Sequence, residues 1–409
     1  MRLPPRPAAP PSQPPGAGTT ARALPRARLD SRIWLLALGT FAIGTDVFVI
    51  AGILPRIAAD LGVSIEATGQ IITAYALTYA LGSPLLAVLT ARWQRGRVTV
   101  LALAGFALAD ALCALAPGYG VLFAARLIAG SCAALYSPTA YTLAAALAPE
   151  ERRGAGLAAV ALGMTSATVI GAPLGTWIGS TFGWHVTFLI GCTLSASAAL
   201  ALKLTRLPPS LPGAVPRLAE RFSPMLRPAV LTSLIANLLW STGNYIIYNY
   251  SAVLFGERLH LDNIAWLLLG YGLGGVTGSQ LGGRFVDRFG ATAPIVASVA
   301  VNAVNIALMN ITGGSELGAA IGLFILAFAG WAVFPAQQSR LLAMEPAHGG
   351  VVLSLIGSTI YIGSAVGAGL GGLLLAHFAP TVPAYVAAAT VGLGLACFLL
   401  SIPAARRMA

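Results

Sequence analysis

Charge is what this 409-residue chain most lacks. Acidic and basic residues together make up 9% of it, against about a quarter of a water-soluble domain, which excludes a soluble globular protein. Lysine occurs once, at Lys203, and no G-x-x-x-x-G-K-[ST] run is present, so nothing here cradles a nucleotide phosphate for ATP-driven work. Histidine and cysteine are scarce, with four of each. Cys113, Cys132, Cys192 and Cys397 lie singly in apolar runs, without metal or disulfide spacing, and read as small buried hydrophobes. His185, His260, His348 and His377 fall near loops or span ends, with no pair at helical ligand spacing. The sequence therefore offers no metal site, no catalytic cluster and no enzyme. A net charge of +11 would suit a nucleic acid if it gathered on a soluble face, but it is spread between apolar runs, so no nucleic-acid partner is expected.

What the chain has in abundance is apolar length. Hydrophobic residues make up 57% of it, and the mean hydropathy is +0.81. A membrane span needs about 20 apolar residues, and twelve stretches qualify. Six lie near 33–55, 69–91, 98–116, 120–147, 154–181 and 184–204. Six more lie near 229–255, 263–286, 291–311, 317–342, 349–376 and 382–404. The expected organisation is a disordered basic tail (1–32), a six-helix half (33–204), a proline-rich linker (205–228), a second six-helix half (229–404) and a short tail (405–409). The tail "MRLPPRPAAPPSQPPGAGTTARALPRARLD" lacks the apolar core of a cleavable signal. Most of the 47 glycines sit inside apolar runs, where small residues let membrane helices approach closely.

With twelve spans, both termini and every second loop share one side. Of the 24 basic residues, all but Arg56, Arg126 and Arg258 fall there. Positive loops face the cytoplasm, so both termini are expected inside the cell membrane, with the lipid bilayer as surroundings. The halves also echo each other at an offset of 196. "YALTYALGSPL" from Tyr75 aligns with "YGLGGVTGSQL" from Tyr271. The same offset pairs Arg92 with Arg288, Gly171 with Gly367 and Gly175 with Gly371. Parallel repeats of this kind build transporters that rock around a central site.

Four motifs carry a family resemblance. The loop after span 8 reads "GRFVDRFG", with Gly283, Asp287, Arg288 and Gly290. Its partner after span 2, "AVLTARWQRGR", keeps Arg92, Arg95 and Arg97 but has Ala87 and Ala91 where glycine and aspartate are usual. Span 4 reads "LFAARLIAGSCAA" around Arg126. Span 5 reads "GMTSATVIGAPLGTWIG", with Gly171, Pro173 and Gly175, echoed in span 11 by "GSAVGAGLGG", with Gly367 and Gly371. Span 1 carries "GTD" and closes on "LP". Together they resemble the major facilitator superfamily, and within it the twelve-span drug:proton antiporters of the arabinose-efflux-like and chloramphenicol-export-like branch. The resemblance implies an all-α membrane fold of two six-helix pseudo-repeats and proton-coupled efflux of a drug or sugar-like metabolite by alternating access. Proton-coupled uptake, or a non-transporting sensor on the same fold, are the alternatives. The proton is the coupling ion, no other cofactor is implied, and a monomer is expected.

For the loop motifs the resemblance implies a latch on the cytoplasmic side; the plainer reading is that these arginines set orientation. The glycines of spans 5 and 11 clear a helix face, and Pro173 bends the backbone. That face serves as a hinge or a seal between halves, or as packing alone.

Asp46, Asp110 and Arg126 are the charges placed within spans, all at similar depth. An ionised aspartate in hydrocarbon costs at least ~2.5–3.5 kcal/mol, so each must meet water, a proton or a cation. In one reading Asp110 and Arg126 neutralise one another across the turn "PGYG". In the other, Asp46 takes and releases a proton, since burial favours a neutral carboxyl, and Arg126 holds its ionised form. The offset places Thr242 opposite Asp46, so coupling would be one-sided. In span 7, Asn237, Ser241, Asn244 and Tyr248 share one helical face, flanked by Trp240 and Tyr245. That stripe suits an uncharged or aromatic ligand, or else interhelical hydrogen bonding. Tyr75, Gln70, Gln337 and Gln338 are further cavity candidates.

Overall fold

The computed structural model describes residues 29–205, 207, 225 and 227–406. The expectations for the amino-terminal tail, for most of the linker and for the last three residues therefore lie outside the described residues.

A bilayer has no water to satisfy backbone N–H and C=O groups, so a chain that crosses it closes its hydrogen bonds within each segment. The described chain obeys this rule with twelve long helices and no strand among the described residues. They are α1 (Ser31–Leu61), α2 (Ile65–Leu89), α3 (Arg95–Ala114), α4 (Tyr119–Leu147), α5 (Arg153–Ser166 and Ala172–Phe182, joined by a π-helical turn, Ala167–Gly171) and α6 (Trp184–Leu204). The second set is α7 (Pro228–Asn249, followed by a π-helical stretch, Ala252–Glu257), α8 (Ala265–Phe289), α9 (Thr292–Thr312), α10 (Glu316–Met344), α11 (Gly349–His377) and α12 (Val382–Arg406). Eleven of these are long and apolar enough to cross a membrane. The exception is α8, diluted by seven glycines and by Arg284, Asp287 and Arg288.

Helix boundaries follow local chemistry. Asp30 caps α1, accepting from the Arg32 amide at 2.9 Å, and its hydrogen bond from the Arg32 guanidinium holds its carboxyl below the usual range. Gly62 ends α1 in the left-handed region at φ 62°, which glycine adopts without strain. Ser64 and Ser315 cap α2 and α10 through the amides of Ala67 and Gly318. In α5 the π turn lies just ahead of Pro173, whose missing N–H and ring disturb the preceding turn.

The two halves repeat one packing scheme. In the first, α1 packs on α5 and α6, α2 on α4, and α3 on α4 and α6. In the second, α7 packs on α11 and α12, α8 on α10, and α9 on α10 and α12. Between halves, α2 meets α11, α5 meets α8, and α1 meets α7 with the stretch that follows it. This is the pseudo-twofold arrangement that the 196-residue offset implies.

Candidate functional site

With the end where α1 begins called the near end, contacts between halves gather toward the far end. Arg56 donates to the Asp262 carbonyl at 3.4 Å, Thr73 to that of Ala365 at 3.3 Å, and Tyr248 to that of Phe48 at 2.7 Å. Gly272 of α8 lies against the α5 backbone, where an added Cβ would come 2.6 Å from Val169 Cα. Nearer the middle, Tyr79 of α2 stacks on Tyr361 of α11, centroids 3.6 Å apart.

In the centre of the first half, Arg126 Nη1 lies 2.7 Å from both carboxylate oxygens of Asp46. Both residues are buried, at 1% and 4% exposure. The guanidinium also sits over the Tyr75 ring, 4.5 Å from its centroid, and 5.8 Å from that of Phe188. Its Nε and the Tyr75 hydroxyl have no hydrogen-bond partner among the described residues.

The expected neutralising pair of Asp110 with Arg126 is not formed. Arg126 turns to α1, while Asp110 is fully buried on α3 with neither oxygen partnered among the described residues. Counting residues along a span gives depth but not the direction a side chain takes around the helix, and it was direction that decided the partner. The structure also buries charges beyond the expected three. Arg340, counted with the loop charges, is enclosed in α10, donating to Ser233 and Ser401 hydroxyls at 3.0 and 2.8 Å and lying over Phe398. Glu345, just past α10, is buried against Arg227 at 2.6 Å.

The α7 stripe divides. Asn237 donates to Thr359 Oγ1 of α11 at 2.8 Å, and Ser241 reaches the Thr359 carbonyl at 3.3 Å. Asn244 accepts from Asn302 of α9 at 2.9 Å. These three are interhelical bonds, and Asn237 and Ser241 are buried in them. Tyr248 is a tie between halves, as above. Trp240 and Tyr245 stay half-buried, with Trp240 Nε1 unpartnered among the described residues. Gln337 is buried with its carbonyl oxygen unpartnered among the described residues, Gln338 is half-buried, and Gln70 lines an outer groove of about 440 Å³ between α2 and α4.

The glycine faces lie inside the halves. A Cβ on Gly171 would come 2.9 Å from Thr45 Cβ, and one on Gly175 would come 2.7 Å from Val49 Cγ2, both on α1. Gly367 and Gly371 stand in the same relation to α7, against Tyr245 and Tyr250. The neighbouring turn of α5, at Thr168 and Val169, lies against Gly272 of the second half. The loop-motif residues Arg92, Asp287 and Arg288 are exposed without ion-pair partners among the described residues, with Arg288 lying over Phe289. Gly283 is in open space and Gly290 ends α8 at φ 72°.

Sequence reading missed the aromatic cluster where the halves meet. Tyr271 lies 4.3 Å from Tyr248 between centroids, and Tyr361 reaches across to stack on Tyr79 and to pack against the first-half core cluster that holds Tyr75. Two signals were available: Tyr79 is one turn from Tyr75, and Tyr271 is the offset partner of Tyr75. Tyr361 has no such echo.

Comparison with known proteins gives a consistent picture. The family model described as Major Facilitator Superfamily matches residues 36–343. The uncharacterised MFS-type transporter YbcL of Bacillus subtilis (strain 168) is 32% identical over 372 residues, covering 90% of this chain and 95% of its own. A chloramphenicol resistance protein of Streptomyces lividans is 31% identical over 272 residues, covering 65% of this chain and 69% of its own. The fold matches that of the nucleoside transporter NupG, with a TM-score of 0.70 at 12% identity, over 91% of this chain and 99% of that one.

Proposed function

The chain belongs to the major facilitator superfamily, and from that premise we propose that it exports a small uncharged or aromatic molecule in exchange for protons, with Asp46 as proton carrier. Its family makes it a multi-pass membrane protein and a secondary transporter of small molecules, not an enzyme.

The observation that carries the coupling is the buried Asp46–Arg126 pair. With Asp46 ionised, the two charges cancel. A proton on Asp46 leaves Arg126 a cation without a counterion, and an unmatched charge in the interior costs several kcal/mol. Proton binding thus destabilises one arrangement of the first half, and a transporter needs such a lever to change which side it opens to. One pair in one half is enough, since Thr242 stands at the equivalent place in the other.

The balance of basic loops supports a cytoplasmic near end with both termini inside. On that orientation the far-end contacts close the outside, and this is the inward-facing state. Arg92, Asp287 and Arg288 are then the open half of a latch that engages when the near end shuts. Tyr79, Tyr361, Tyr245 and Trp240 offer stacking surfaces and few charges, which favours an aromatic, electroneutral substrate. The likeness to a chloramphenicol resistance protein supports a drug-like compound among those exported. Both halves come from one chain, which favours a working monomer. The proton is the one cofactor this reading needs.

The test is export of a labelled panel of drugs and metabolites from a host without its own exporters, at two external pH values. Wild-type protein should lower accumulation more strongly at acid external pH. Asp46→Asn should insert normally and lose the pH response. Raised accumulation with the wild type would mean uptake, and a pH response retained by Asp46→Asn would remove the coupling assignment.

A further inference from the structure

Asp110 is the buried titratable group that the proposed mechanism leaves unused. It is 0% exposed, in the last turns of α3 before its far end, and neither carboxyl oxygen has a hydrogen-bond partner among the described residues. An ionised carboxylate in that setting is the costliest arrangement a protein interior offers. The wall around it is close: a Cβ added to Gly191 of α6 would sit 2.6 Å from Asp110 Oδ2.

The groups within electrostatic reach are Asp46 of α1, Arg126 of α4 and Tyr75 of α2, with the thiols of Cys113, Cys132 and Cys192 on α3, α4 and α6. Arg126 is the one cation among them. It spends Nη1 on Asp46 and leaves Nε unpartnered. Two carboxyls therefore compete for one guanidinium inside a single helical half.

We propose that Asp110 is the alternate carboxyl of Arg126, holding a proton while Arg126 bonds Asp46 and giving it up when Asp46 takes one. This deepens, and rests on, the reading of Asp46–Arg126 as the proton-coupled pair. The charges balance in both states. With Asp46 ionised and Asp110 neutral, Arg126 has one anion; with Asp46 neutral and Asp110 ionised, it again has one. The unmatched cation that drives the change of state then exists only between the two steps, after Asp46 takes its proton and before Asp110 gives one up. The O–H bond at Asp46 forms with a proton from outside, and after the change of state the O–H bond at Asp110 breaks with its proton leaving to the cytoplasm; the proton left on Asp46 then passes to Asp110, so each cycle carries one proton inward.

Infrared difference spectroscopy on the full chain in lipid vesicles tests this without any transported compound. The probe is the carbonyl stretch of a protonated carboxyl at neutral pH. Wild type should show a band worth about one carboxyl per chain, and Asp110→Asn should remove it. Asp46→Asn should remove it as well, because Arg126 released from α1 then ionises Asp110. A passive buried acid would keep its proton in Asp46→Asn, so a band surviving in that variant overturns the proposal. So does a wild-type spectrum from which Asp110→Asn removes nothing. Should Asp110→Asn fail to fold, Gly191→Ala gives the same assignment by crowding Oδ2, and the band must then shift in frequency; an unmoved band overturns the assignment. Export measurements stand apart from these spectra, so loss of the efflux reading and loss of the Asp110 assignment are separable.

Discussion

Arg126 reaches both carboxylate oxygens of Asp46 through one nitrogen, at 2.7 Å each, across 80 positions of sequence. The pair joins α4 to α1 in the middle of the first half, and each residue is the reason the other tolerates burial.

Removing one partner should therefore cost more than removing both. Arg126→Gln leaves an anion buried on α1 and is expected to lose about 3–5 kcal/mol of stability, read as a lowered Tm in detergent. The double variant Asp46→Asn, Arg126→Gln should recover most of that loss while remaining inactive in pH-driven export. Equal melting of the single and double variants would show that the pair is not buried as a unit.

Closure of the far end depends on α8 lying directly on the α5 backbone. Gly272→Ala places a carbon 2.6 Å from Val169 Cα, and neither backbone yields easily. Overpacking of this kind costs about 1–3 kcal/mol, charged here to the state with the far end shut. Each 1.4 kcal/mol is about tenfold in population. A cysteine introduced at Thr73 should then label about ten times faster with a membrane-impermeant reagent from the far side.

Tyr248 tests the same closure from a second direction. Its hydroxyl donates to the Phe48 carbonyl at 2.7 Å, joining α7 to α1 two residues beyond Asp46. Tyr248→Phe keeps the ring and deletes the bond, worth about 0.5–1.5 kcal/mol net. Far-side labelling should rise severalfold, with folding and expression unchanged.

The stacked Tyr79–Tyr361 pair spans the halves, and the proposed function puts the substrate beside it. Tyr361→Ala should raise KM for an aromatic substrate at least several-fold while leaving kcat nearly unchanged, since stacking pairs contribute about 0.5–1.5 kcal/mol beyond area burial. Tyr361→Phe should behave as wild type. A fall in kcat with KM constant would assign the pair to gating.

Much of the fold was legible because a bilayer leaves few choices. Apolar length gave twelve helices, and the offset linking Tyr75 to Tyr271 and Gly171 to Gly367 gave the repeat. The site was legible in part. Depth along a span marked Asp46 and Arg126 as charges in one layer, and the α7 stripe showed its polar face. Which helix that face met was not readable, so Asn237 and Ser241 proved to be ties to Thr359, while Tyr361 lay unmarked in a span with no aromatic echo in the other half.

The sequence by itself determined that this chain crosses a membrane many times in two like halves, because hydrophobic length and the scarcity of charge are sums over residues and need no coordinates. The tertiary structure alone decided that Arg126 bonds Asp46 and leaves Asp110 partnerless. The same holds for the glycines of α5, which seat on α1 rather than on the second half. Both outcomes depend on the rotation of each helix about its axis, and that rotation is fixed by close packing among all its neighbours at once.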